Sequence, residues 1–244
     1  MSRRRWADKL EPVRRLLKRG AGDDPLRYAD LSPERRALFA RVAPYTQTSL
    51  ERVATLADAV EYVIGAGVPG DLVECGVWRG GSSMAVALTL LRLGAGERPL
   101  WLYDTFGRMP KPGRHDRDYA GRPVSGHEES MLGETGLSLS DVQAAMRSTG
   151  YREERIVYVP GRIEETVPAT APEEIALLRL DTDWYESTRH ELEHLYPRLV
   201  SGGVLIIDDY GHYAGARQAV DEYFAGRPVL LARVDYTGRM AVKP

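Results

Sequence analysis

Residues 71–84, DLVECGVWRGGSSM, decide the fold. Asp71 to Gly76 read as a strand, and SSMAVALTLLRLG (82–94) reads as a helix. Between them Gly76, Gly80 and Gly81 let the backbone turn sharply and approach a ligand with no side chain in the way. Downstream the same alternation repeats. PLWLYD (99–104), RIVYVPG (155–161), EIALLRLD (174–181) and GVLIIDD (203–209) are strands, separated by helices over 138–150, 186–199 and about 214–225. The helix at 138–150 opens at Ser138 or Ser140. PVLLARV (228–234) and GRMAVKP (238–244) end the chain as a hairpin around 235–238. Continuous apolar runs mark strands buried on both faces. The expected fold is therefore α/β: a doubly wound, mostly parallel sheet with helices on both sides and one antiparallel strand.

Upstream, Ser32 and Pro33 open a helix over 32–43, and Ser49 caps a longer one to about Gly65. Residues 1–20 carry a net charge of +6, with Trp6, Leu10, Val13, Leu16 and Leu17 at helical spacing. They suit a solvated basic helix packed on the body or across a dimer, or else a membrane-surface or partner-docking element, and GAGDDP (20–25) separates them from the rest of the chain.

At 244 residues, 43% hydrophobic and 28% charged, the chain has the composition of an ordinary soluble protein with a sizeable core. A net charge of −2 gives no global basic field to recruit nucleic acid. No apolar run approaches the roughly 20 residues of a membrane span. The start has no apolar stretch of a secretory signal, and the single Cys75 excludes an intrachain disulfide and a cysteine zinc cluster. A cytoplasmic protein is the expectation.

Ligands of open α/β sheets bind beyond the carboxyl ends of the strands. At the first end, Ser82 and Ser83 sit at a helix N-terminus, which attracts an anionic group. Asp104 ends the next strand, where an acid accepts hydrogen bonds from two ribose hydroxyls. Glu74, ahead of the first glycine, repels a diphosphate but suits an ammonium, so S-adenosylmethionine matches the turn better than NAD. The alternative pairs Glu74 with Arg79 or Arg98.

Asp181 and Asp183 stand at one later strand end, and Asp208 and Asp209 at the next. Convergence of Asp181, Asp208 and Asp209 on one rim calls for a cation or a shared proton. Hard oxygen ligands favour Mg²⁺ or Ca²⁺ over zinc. The competing reading makes Asp208 a cap and Asp209 a salt-bridge partner. His190 and His194, at i and i+4, lack a third ligand and read as surface residues. Tyr210 and His212 are better placed to meet substrate. The long polar segment 106–130, with His115 and His127, reads as a lid over the nucleoside pocket.

PYTQTSLER (44–52), GDLVECGVWRGGSSM (70–84), LYDTFGRMP (102–110), LRLDTDWYEST (178–188) and LYPRLVSGGVLIIDDYGHYAGARQAVDEYF (195–224) resemble the macrocin O-methyltransferase (TylF-like) family. The resemblance covers about 45–244 and implies a seven-stranded, Rossmann-like class I methyltransferase domain over 44–244, behind a basic helical extension, 1–43. It implies S-adenosylmethionine and Mg²⁺ or another divalent cation, with Asp181, Asp208 and Asp209 as the metal ligands. Glu74, Gly76, Ser82, Ser83, Asp104 and Thr105 would line the cofactor pocket, with Thr46 and Ser49 near the methionine end. Arg162 and Ile163 of GRIEET (161–166) would border the adenine, although the family often has an aromatic where Arg162 stands. The family methylates hydroxyls on sugars of bacterial natural products, so the implied partner is a small, glycosylated acceptor and the implied assembly a homo-oligomer, a dimer or larger. Asp181 is the preferred base and His212 the other candidate. A catechol-type methyltransferase acting on an aromatic diol satisfies the same carboxylate logic. A nucleic-acid methyltransferase would want a basic face, and a non-catalytic scaffold leaves the carboxylates without a task.

Overall fold

The computed structural model describes residues 28–124 and 138–244. The basic segment 1–20, the turn at 20–25 and the end of the polar segment with His127 lie outside the described residues. Seven strands form one sheet: β1 (Asp71–Cys75), β2 (Leu100–Asp104), β3 (Ile156–Pro160), β4 (Ile175–Leu180), β5 (Leu199–Ile207), β6 (Ala232–Arg233) and β7 (Arg239–Val242). Their order is β3-β2-β1-β4-β5-β7-β6. The first five are parallel, and β7 runs antiparallel to both its neighbours. This is the architecture expected from the alternation of apolar runs and helices.

Helices are α1 (Pro33–Val42), α2 (Leu50–Gly65), α3 (Gly81–Arg92), α4 (Leu139–Arg147), the single turn α5 (Ile163–Thr166), α6 (Tyr185–His194) and α7 (Ala214–Phe224). Successive strand residues point to opposite faces, and each face has its own core. Leu72, Leu100, Leu102, Leu177, Val204 and Ile206 pack with Leu56 and Val60 of α2, Met84 and Leu90 of α3, and Met146 of α4. Val73, Tyr103, Leu178, Leu180, Leu205 and Ile207 pack with Leu192 of α6 and Val220 and Phe224 of α7. Val42, at the end of α1, is fully buried in the first of these cores, so contacts cross the expected boundary at residue 43. Ser138, rather than Ser140, caps α4, in a reciprocal box with Asp141.

Local chemistry moves three boundaries. The helix expected over 186–199 stops at His194, because Pro197 cannot donate to a continuing helix and sits in a 3₁₀ turn, Tyr196–Arg198. Strand β5 consequently starts at Leu199 rather than Gly203, with its register shifted between the Ile175–Leu199 and Leu177–Val204 pairs and Gly202 at φ 80°. PVLLARV contributes only Ala232–Arg233 to the sheet; its Leu230 is 84% exposed and has no core face to occupy. The hairpin turn itself forms, with Asp235 Oδ1 accepting from the N–H groups of Thr237 (2.9 Å) and Gly238 (2.7 Å). Among the described residues no helix is long and apolar enough to cross a membrane.

Candidate active site

The glycine turn after β1 is shaped by backbone contact. Gly76 has φ 86°, and a Cβ there would lie 1.9 Å from the carbonyl oxygen of Asp181, so only glycine lets β1 and β4 end this close together. A Cβ on Gly81 would meet Thr46 Cβ and Tyr45 O at 2.6 Å, which explains how segment 45–48 lies across the start of α3. Asp104, at the end of β2, faces the same turn. Its Oδ2 accepts from the N–H groups of Val77 (2.7 Å) and Trp78 (3.0 Å), and its Oδ1 from Phe106 N–H (2.8 Å). Thr105 Oγ1 also donates to Oδ1, at 3.4 Å, and this longest of the four contacts is the one a ligand's hydroxyl would displace.

Behind the turn lies a buried ion network centred on Arg179, whose side chain is 3% exposed. The register pairs Arg179 with Glu74 on one side and Ile206 on the other, so acids from three strand ends reach one guanidinium. Arg179 Nη1 donates to Glu74 Oε1 (2.6 Å); Nη2 donates to Asp208 Oδ1 (2.7 Å) and lies 2.8 Å from Asp181 Oδ2. Ser83 Oγ also donates to Glu74. Burial raises the Glu74 pKa to about 7, against the lowering pull of Arg179. Glu74 is therefore committed to an internal arginine instead of waiting for a ligand's ammonium, and its partner is neither Arg79 nor Arg98.

Asp208 is held from its other side by Arg52 of α2, which also lies 3.1 Å from Asp235 Oδ2. Oxygens of Asp181, Asp208 and Asp209 all lie within 4.8 Å of one another. Asp209 Oδ2 accepts from the N–H of Asp183, a residue at φ 65°. Burial, reinforced by the charge of Asp181, pushes the Asp209 pKa up to about 7. The salt-bridge partner in this pair of aspartates is thus Asp208, and the two arginines leave the cluster with an excess of carboxylates. That composition fits a hard divalent cation.

A cavity of about 440 Å³ connects these features. Of the residues singled out from sequence, Thr46, Gly76, Ser82, Asp104, Thr105, Arg162, Ile163, Asp181, Asp208, Asp209 and His212 line it. Glu74, Ser83 and Ser49 do not. Glu74 and Ser83 bond each other under the turn, and Ser49 caps α2 and donates to Asp235 Oδ2 (2.8 Å). Arg162 precedes α5 and pairs with Glu164 at 3.3 Å. His190 and His194 are outside the cavity, and His190 Nε2 is bonded to Val167 O at 2.8 Å.

The described part of the polar segment after Asp104 is docked on the body. Asp116 is 4% exposed and accepts from the N–H groups of Tyr185 (2.9 Å) and Gly113 (2.6 Å). Trp184 Nε1 donates to Pro110 O (2.9 Å), and Asp118 bridges to Tyr213. Met109 and Pro110 thereby form one wall of the cavity, facing Trp184 and Tyr213. Sequence reasoning missed Arg52, Arg179, Asp116 and Tyr236. Arg179 carried a signal, since one charge inside the apolar run IALLRL needs a buried partner.

Comparison with known proteins identifies the family and the fold. The profile of the family described as macrocin-O-methyltransferase (TylF) matches residues 22–241. The 8-demethyl-8-(2,3-dimethoxy-alpha-L-rhamnosyl)-tetracenomycin-C 4'-O-methyltransferase of Streptomyces olivaceus is 40% identical over 179 residues, 73% of this chain and 67% of that protein. The demethyldecarbamoylnovobiocin O-methyltransferase of Streptomyces niveus is 36% identical, over 74% of this chain and 68% of that one. The mycinamicin III 3''-O-methyltransferase of Micromonospora griseorubida is 35% identical over 73% and 70%. Among solved structures, the O-methyltransferase NovP superposes with a TM-score of 0.73 at 31% identity, covering 82% of each chain. The calicheamicin methyltransferase CalS11, at 23% identity and a TM-score of 0.59 over 96% of this chain and 92% of that one, shares the fold. On its sequence and its seven-stranded sheet, the chain is an enzyme of the macrocin-O-methyltransferase (TylF) family.

Proposed function

We propose that this enzyme transfers the methyl group of S-adenosylmethionine to a hydroxyl on the sugar of a small glycosylated natural product, assisted by a divalent cation. The observation that carries the reading is one cavity lined both by the glycine turn with Asp104 and by three converging carboxylates. A name such as that of the relative acting on a rhamnosylated tetracenomycin supports the sugar acceptor. Asp104 accepts the ribose hydroxyls, Thr105, Arg162 and Ile163 border the base, and Thr46, Gly76 and Ser82 face the methionine end.

Asp181, Asp208 and Asp209 would hold the cation, which when bound lowers the pKa of the acceptor hydroxyl and orients it. The Asp209 pKa is raised first by burial and then by the charge of Asp181, and a bound cation would offset both. Asp181, with a side chain 26% exposed, is the most accessible of the three and takes the hydroxyl proton. S-adenosylmethionine, when bound, would supply the activated methyl group to the oxygen that Asp181 deprotonates. Arg179 and Arg52 keep Asp208 in place throughout.

Methyl transfer to a panel of glycosides and catechols, with and without EDTA, tests this. Glycoside methylation that EDTA abolishes and Mg²⁺ restores is expected, together with loss of Mn²⁺ binding in Asp209→Asn. Activity indifferent to EDTA and to Asp209→Asn would remove the cation from the reading. Transfer to catechols alone would replace the acceptor.

A further inference from the structure

His212 lines the cavity three residues beyond Asp209, and its backbone N–H donates to Asp209 O at 3.0 Å. Its ring is enclosed by three tyrosines, with centroids 5.6 Å from Tyr119, 4.6 Å from Tyr213 and 5.9 Å from Tyr236. One ring nitrogen, Nδ1, is 3.2 Å from the hydroxyl of Tyr236. With Nδ1 unprotonated, the Tyr236 hydroxyl donates to it, the favoured arrangement because a phenol is a better donor than acceptor. A neutral imidazole carries one proton, which this bond leaves on Nε2. Nε2 has no protein partner among the described residues.

The pair is held firmly. Gly211 N–H donates to Thr237 O (3.0 Å), and a Cβ on Gly211 would lie 2.0 Å from Tyr236 O, so the two backbone segments touch. Thr237 Oγ1 donates to Asp208 O (2.7 Å), tying the same turn to the end of β5.

We propose that His212 is a hydrogen-bond donor that positions the acceptor, its Nε2–H binding a sugar oxygen beside the reacting hydroxyl, and that Tyr236 enforces this by occupying Nδ1. His212 then has no free basic nitrogen facing the cavity and leaves proton removal to the carboxylates. Tyr236 is a positioning residue that acts through His212. The assignment rests on the methyl-transfer reading above and specifies how the acceptor is gripped.

Two measurements on the full chain test it. The ¹⁵N NMR spectrum of histidine-labelled protein reports the tautomer directly, with no turnover needed. The Nε2–H form is expected in the wild type, and a mixture of tautomers in Tyr236→Phe. In steady-state kinetics His212→Ala is expected to raise the acceptor KM about tenfold, the effect of one lost hydrogen bond. His212→Gln, which restores an N–H donor, should recover most of that loss with kcat little changed. An Nδ1–H tautomer in the wild type overturns the proposal. So does a kcat loss of about a hundredfold or more in His212→Gln with KM unchanged, the mark of a lost base. A wild type that methylates no glycoside overturns the functional reading instead, while the spectrum still decides the tautomer.

Discussion

Arg179 Nη2 lies 2.7 Å from Asp208 Oδ1, and the two residues meet across the adjacent strands β4 and β5 with both side chains 3% exposed. The same guanidinium reaches Glu74 and Asp181, so one buried cation gathers the carboxylates of three strand ends.

Removing that cation leaves the buried Glu74 without an ion pair and Asp208 with Arg52 alone. Arg179→Met is expected to lower stability by about 3–5 kcal/mol, the cost of breaking a buried pair from one side. Arg179→Lys keeps the charge but loses the planar fork, and should fall between this and the wild type. Urea unfolding followed by circular dichroism measures both.

Asp104→Ala should weaken S-adenosylmethionine binding by about tenfold or more, since it removes the proposed ribose acceptor and frees the N–H groups of Val77 and Trp78. Calorimetric titration is the check, and unchanged affinity would remove Asp104 from the cofactor site.

Glu191 of α6 is fully buried, with Oε1 accepting from Thr182 Oγ1 (2.9 Å) and Oε2 without a partner among the described residues. Burial pushes its pKa well above the carboxylate range. Above about pH 4.3 the unfolded chain ionises this group while the folded chain keeps its proton. The folded state then binds the extra proton, so this contribution to stability is full below that pH and declines as pH rises. Glu191→Gln removes the linkage. Its stability relative to the wild type should be near level at pH 4 and increasingly favourable towards pH 8, as read from urea midpoints across the range.

Asp116 anchors the segment after β2 to the starts of α6 and α7, where a Cβ on Gly215 would lie 2.0 Å from its Oδ1. Asp116→Ala is expected to speed amide exchange at Gly113 and Tyr185, whose N–H groups it accepts. The acceptor KM should rise several-fold, on the order of one hydrogen bond's worth, because Met109 and Pro110 lose their support. Unaltered exchange at both amides would show that the segment is held by other contacts.

Much of the fold was legible because its cause is local. Runs such as IALLRL and VLII suit interior strands of a sheet covered on both faces, and the glycines after β1 announce a turn that side chains would block. Boundaries were less legible where one residue overrode a pattern. Pro197 ended α6 early, and Leu230 stayed in solvent despite its apolar neighbours. In the site, residues at strand ends could be placed because topology brings those ends together. Ser49, Ser83 and Glu74 sit close in sequence to the cavity, but their side chains point to partners that local spacing does not reveal.

By itself the sequence determined the order of strands and helices, the glycine turn, the carboxylates at the strand ends and the family. Each depends on residue type and spacing within a few positions. Only the tertiary structure decided which charges meet. Arg52 and Asp208 are separated by 156 positions and Arg179 and Glu74 by 105, yet they form the ion network beneath the cavity. Such pairing arises from strand order and register, which bring remote side chains within hydrogen-bond distance, and no local pattern encodes it.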